Sequence, residues 1–132
     1  MTLSGKAAIV GIGSTEFSKA SGRSELQLSV EAVQHALADC GLAPADVDGL
    51  TTFTMDTSSE IAVARELGIP ELRFFSRINF GGGGACATVQ QAAMAVATGV
   101  ADVSDGVATI EVVGRVSLGD HVTGTVQVAV GG

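Results

Sequence analysis

Residues 81–98, GGGGACATVQQAAMAVAT, set four glycines directly before a stretch with no hydrophilic face. A helix is expected over Ala85–Thr98, with Ala85, Val89, Ala92, Ala93, Val96 and Ala97 distributed nearly all round it. Such a helix should be buried rather than amphipathic. Its many alanines allow close backbone approach from several sides.

The elements before it alternate. KAAIVGIG, Lys6–Gly13, is a short apolar run closed by Gly-x-Gly and reads as a buried strand. Ser24 is an N-cap for a helix from Glu25 to about Cys40, with Leu26, Val30, Val33, Leu37 and Cys40 on one face and Gly41 as the stop. Pro44 begins a one-turn helix, and Gly49–Thr54 is a second strand. A helix opening at Ser58 or Ser59 runs to Leu67, and Glu71–Ile78 is a third strand. Three strands alternating with three helices predict an α/β layered fold with strands at least partly parallel.

The character changes near Val103–Gly106. Gly106–Val130 holds no helical pattern; it is two alternating β-branched runs around SLGD, as in an antiparallel hairpin. The expected organisation is therefore an α/β unit over residues 1–103 and a C-terminal β-hairpin over 104–132.

Charge excludes several functions. The net charge is −7, and the seven Lys and Arg are scattered singly, so there is no electrostatic footprint for nucleic acid and no basic face for an anionic membrane. No apolar run reaches the roughly 18 residues of a spanning helix, and the N-terminus lacks the h-region of a signal peptide. Cys40 and Cys86 lie in helix-like sequence and form no disulfide framework, which points to a cytoplasmic protein with two reduced thiols.

Few residues carry chemistry. Cys86, just past the glycines, is a nucleophile if the helix N-terminus stabilises its thiolate, or a small packing residue if it is buried. The glycines before the helix offer unblocked N–H groups to a developing oxyanion, or make a tight strand-to-helix turn. Gly11 and Gly13 lack the third glycine of a dinucleotide fingerprint. His35 reads as a solvated surface residue, His121 as a turn residue, and Asp46 and Asp48 as turn and cap residues. No His, Cys or carboxylate pair has metal-ligand spacing.

Three segments in order, AAIVGIGSTEFSK, VEAVQHALADCGLAPADVDGL and GGGGACATVQQAAMAVATGVAD, resemble the N-terminal part of the thiolase superfamily. The resemblance covers residues 5–102 and is greatest to the sterol-carrier-protein-X and lipid-transfer-protein branch, which includes steroid side-chain retro-aldolases. It implies a partial thiolase-like layered fold with the Ala-rich helix buried, followed by the hairpin. The tail, DGVATIEVVGRVSLGDHVTGTVQVAV, resembles the last strands of MaoC-type hot-dog hydratases.

The resemblance implies an enzyme of lipid metabolism or steroid degradation whose substrate is a coenzyme A thioester, with no bound cofactor. It further implies a homodimer and a possible zinc-ribbon and OB-fold partner subunit. Counting back from TGVAD, the family's nucleophile position falls at about Gly82, which leaves Cys86 one helical turn too deep. Retro-aldolases resemble the chain here in having glycine at that position. C–C cleavage needs a base and an enolate stabiliser rather than an acyl-enzyme, so Gly82, Gly83 and Gly84 are the expected substrate-approach residues and Cys86 a packing residue. A Cys86-dependent thiolase or acyltransferase remains the alternative, as does a non-catalytic interaction or assembly module. The family's catalytic His and second Cys belong to a C-terminal half, so the chain alone is expected to lack a complete active site.

Overall fold

A computed structural model describes residues 4–18, 20–53, 59–79, 84–101, 109–118 and 122–131. Strand β1 spans Ala8–Ser14, helix α1 Glu25–Cys40, β2 Val47–Phe53, α2 Glu60–Leu67, β3 Phe74–Ile78, α3 Gly84–Ala97, β4 Thr109–Leu118 and β5 Val122–Gly131. The capping residues act as the sequence predicts. Ser24 accepts from Gln27 N while Gln27 returns a bond to Ser24 N, and Gly41 closes α1 at φ 72°. Ser59 caps α2 and Gly68 closes it at φ 74°.

All five strands share one sheet, in the order β1-β5-β4-β2-β3. β2 runs parallel to β3, as α/β alternation predicts, and also parallel to β4, while β5 is antiparallel to both β4 and β1. The hairpin β4–β5 lies inside the sheet: β4 sits beside β2, and β5 is the strand that pairs β1.

Alternation along β2 distributes the core to two faces. Leu50 is fully buried with Val33, Leu37, Val63 and Leu67 from α1 and α2, each burial contributing about 1.5–3 kcal/mol. Its neighbour Thr51 points the other way, and its hydroxyl donates to the Thr88 carbonyl of α3 at 3.3 Å. Ala92, Ala95, Val96 and Ala101 form a second cluster there, packed by Phe74 and Val89. Helices therefore cover both faces of the sheet.

Four expectations change. Strand β1, read as buried, buries only Gly11 and Gly13 and leaves Ile9, Val10 and Ile12 exposed. The helix α3 is covered on its sheet side, but Cys86, Gln90 and Met94, one turn apart, form a stripe in solvent. All-round apolar composition reports what the helix tolerates, not how many layers this chain lays over it. The buried stripe of α1 is centred on Ala32, Val33, Ala36 and Leu37, with Leu26, Val30 and Cys40 at its margin. Asp48 is no turn residue: it is buried in β2, and its backbone carbonyl accepts from Arg73 N at 2.8 Å.

The Gly-x-Gly of β1 has a packing cause. A Cβ on Gly11 would sit 2.5 Å from Ala36 O and 3.0 Å from Cys40 Sγ, so α1 crosses the strand at backbone contact.

Candidate functional site

The parallel strands β2, β3 and β4 end on one side of the sheet, and the chain leaves β2 and β3 there to start α2 and α3. Crevices at the carboxyl ends of parallel strands are where α/β sheets bind ligands, because helix N-termini converge there. Ser59 and Glu60 begin α2; Gly84 begins α3, with residues 79–83 linking it to β3.

Of the sequence-predicted residues, Gly84 is the first of α3, while Gly82 and Gly83 lie outside the described residues. Cys86 falls in the first turn of α3, and its side chain is exposed. The packing environment expected for it is therefore not what surrounds it. His121 lies outside the described residues. His35 is exposed, with Nδ1 2.8 Å from Ser14 O, and Asp46 accepts from Ala43 N at 2.8 Å as a turn residue should. Among the described residues no group of three or more His, Cys, Asp or Glu could hold a metal ion.

Two polar networks that sequence reasoning missed hold this end of the sheet. Thr51 and Ser76 are neighbours across β2 and β3 and both face α3. Thr51 donates to Thr88 O, and the Ser76 hydroxyl bonds Gln91 Oε1, so hydroxyls fix the position of α3, and with it the Cys86 turn. On the opposite face Thr52 and Arg77 are also register partners. Thr52 Oγ1 and Arg77 Nε, the latter at 3.0 Å, both donate to Glu60 Oε1. Burial pushes the Glu60 carboxyl up, but the Thr52 bond, its own backbone N–H and the Arg77 guanidinium outweigh burial and hold its pKa below the ordinary carboxylate value. Glu60 is thus an anion that ties α2 to the ends of β2 and β3. The only sequence signal for it was an acidic residue just after a Ser N-cap, which reads equally well as an exposed first-turn glutamate.

The sheet order, with one antiparallel strand set between β4 and β1 and helices on both faces, defines a thiolase-like α/β fold. Solved structures agree. The 3-oxoacyl-[acyl-carrier-protein] synthase III of Aquifex aeolicus superposes with TM-score 0.71 at 15% identity, over 96% of this chain and 54% of that one. The SCP2-thiolase-like protein type 1 of Mycobacterium smegmatis gives 0.67 at 21% identity, over 87% of this chain and 24% of that one. Both likenesses concern the fold alone.

Sequence identity points further. Over 101 residues the chain is 77% identical to the 17-hydroxy-3-oxo-4-pregnene-20-carboxyl-CoA lyase of Mycobacterium tuberculosis. It is 73% identical to a steroid side-chain-cleaving aldolase of Thermomonospora curvata over the same length. The Ltp2-ChsH2(DUF35) aldolase structure superposes with TM-score 0.76 at 65% identity, over 86% of this chain and 28% of that one. The chain is thus a homologue of steroid side-chain aldolases across 76% of its length, and it spans 26% of the length of those curated relatives. No family model matches it. Among the described residues, no helix is long and apolar enough to cross a membrane.

Proposed function

We propose that this chain is the N-terminal portion of a steroid or lipid side-chain retro-aldolase acting on a β-hydroxyacyl-CoA. The observation that carries the reading is the 77% identity to a lyase named for 17-hydroxy-3-oxo-4-pregnene-20-carboxyl-CoA. In that thioester the 17-hydroxyl is β to the thioester carbonyl. A base removes the hydroxyl proton, the C17–C20 bond breaks, and C17 becomes a ketone. The electron pair passes into the thioester enolate, which then takes up a proton at carbon to give the shortened acyl-CoA. No oxidant or acyl-enzyme is required.

In this account the start of α3 is where the enolate oxygen is received. Gly82, Gly83 and Gly84 present N–H groups without side chains, and the helix dipole adds partial positive charge. Thr51 and Ser76 hold α3 at the height that this contact needs. The base belongs to the part of the relatives that this chain does not span. The working enzyme is a cytoplasmic homodimer that associates with a partner subunit of the zinc-ribbon and OB-fold type; the aldolase of the solved Ltp2-ChsH2(DUF35) structure supports that association.

A second reading has one observation in its favour. The exposed position of Cys86 in the first turn of α3 suits a thiolate that attacks a thioester, as in an acyltransferase.

Transplantation tests the first reading. The matching 101 residues of the Mycobacterium tuberculosis lyase are exchanged for those of this chain, and cleavage of its thioester is followed. Release of the 17-ketone supports the proposal. A folded chimera that binds the thioester and leaves it intact contradicts it.

A further inference from the structure

Four residues at the carboxyl ends of β2 and β3 form a two-by-two block. Thr51 is paired with Ser76, and Thr52 with Arg77. Alternation sends the first pair to the α3 face and the second to the α2 face. Each pair is tied to the helix it meets. Thr51 Oγ1 donates to Thr88 O at 3.3 Å and the Ser76 hydroxyl bonds Gln91 Oε1. Thr52 Oγ1 and Arg77 Nε converge instead on Glu60 Oε1.

Glu60 therefore holds both strands from a single atom. It is the first residue of α2 and is 8% exposed. An ion pair adds little net stability over apolar residues of similar volume, whether it is exposed or buried. What two donors converging on one oxygen do fix is the relative height of the strands that carry them. Thr52 sits on β2 and Arg77 on β3, so a slip of one strand along the other stretches one of the two bonds.

The block carries that constraint across the sheet. Thr51 and Ser76 are the chain neighbours of Thr52 and Arg77, so they move with any such slip. Their partners Thr88 and Gln91, three residues apart, lie on one side of α3. Gly84 is one turn before Thr88, about 6 Å along the axis. The path from Glu60 to the start of α3 is short, and it runs through backbone and hydrogen bonds alone.

We propose that Glu60 is a positioning residue for the start of α3. It acts through Thr52 and Arg77 on Thr51 and Ser76, and through these on Gly84 and the turn that follows. Its catalytic consequence rests on the aldolase reading, in which the start of α3 receives the enolate oxygen; the mechanical tie does not. Misplacing a reacting group by about 1 Å costs on the order of a hundredfold in rate. Because the enolate forms only on the way to cleavage, the loss falls on kcat rather than on KM.

Hydrogen exchange tests the tie in this chain without any activity. In Glu60→Ala, the amides of residues 88–92 are expected to lose protection about tenfold relative to wild type, although they lie on the opposite face from Glu60, while those of β1 and β5 keep theirs. Loss confined to α2, or spread evenly over the sheet, overturns the proposal. Thr52→Val keeps the side-chain shape and removes one of the two donors. It is expected to give the same pattern at smaller amplitude, and it decides the matter where Glu60→Ala does not fold.

Turnover tests the consequence. In the chimeric lyase, Glu60→Ala is expected to lower kcat per folded protein about tenfold or more, with KM within about threefold. Glu60→Gln, whose amide oxygen can accept both bonds, should recover most of that loss. An unchanged kcat in an active chimera overturns the positioning role. A chimera that is inactive with Glu60 in place contradicts the aldolase reading instead, and the exchange pattern still decides the tie.

Discussion

A Cβ on Gly13 would lie 2.2 Å from the carbonyl oxygen of Ala32, so β1 and α1 meet backbone to backbone. Neither side of that contact is a flexible side-chain end, and the strand cannot yield without disturbing its pairing with β5. Gly13→Ala is therefore expected to cost about 3 kcal/mol, read as a fall in the urea midpoint. A loss under about 0.5 kcal/mol, the scale of an ordinary surface substitution, would mean that α1 does not sit at this depth.

The Glu60 carboxyl is held below its ordinary pKa in the fold, so the folded state binds its proton less readily than the unfolded chain. The stability it contributes is complete above the unfolded carboxylate value of about 4.3 and is lost as pH falls through the lower, folded value. Glu60→Gln is expected to cost about 1–2 kcal/mol near neutral pH and to flatten the acid limb of the stability curve. Urea unfolding of both proteins from neutral pH to below about pH 4 checks this. Parallel curves for the two proteins would show that the contacts with Thr52 and Arg77 do not bias its titration.

The hairpin is expected to be indispensable. Among the described residues β1 finds its strand partner only in β5, and β2 has β4 on one side. A chain ended at Val103 loses both pairings and should show no cooperative unfolding transition. A cooperative transition with native helical content in that truncated chain would mean that residues 1–103 fold without the tail, as the change in sequence character near Val103 suggests they could.

Cys86 is exposed, whereas Cys40 is half-buried with Sγ 3.3 Å from Ala36 O. Native alkylation should reach Cys86 first, by about tenfold in rate, followed by peptide mass mapping. Equal rates, or earlier labelling of Cys40, would contradict the placement of Cys86 on the solvent side of α3.

Much of the fold was legible because it is local. Ser24, Gly41, Ser59 and Gly68 state where the first two helices begin and end, and the structure follows them to within a residue or two. Period-two alternation after Val103 predicts a hairpin, and β4 and β5 form one. Strand alternation does not say which strand comes next to which, so the hairpin's place inside the sheet was not legible. The same limit applies to the site. Thr51, Thr52, Ser76 and Arg77 look like ordinary strand residues until the parallel pairing of β2 with β3 sets them side by side. Gly11 and Gly13 become intelligible only beside Ala32 and Ala36. The exposure of Cys86 was hidden by the composition of α3, since alanines and valines suit a helix covered on one side as well as one covered on all.

The central claim is that the glycine-led start of α3 receives an enolate and that Cys86 forms no acyl-enzyme. The most direct measurement is turnover of 17-hydroxy-3-oxo-4-pregnene-20-carboxyl-CoA by the chimeric lyase with and without Cys86→Ala, with intact-mass analysis of the protein during turnover. C–C cleavage that stays within about threefold in the variant, with no mass added to either protein, is the predicted result. An acyl adduct that maps to Cys86, together with loss of turnover in Cys86→Ala, would contradict the account and make the protein an acyltransferase.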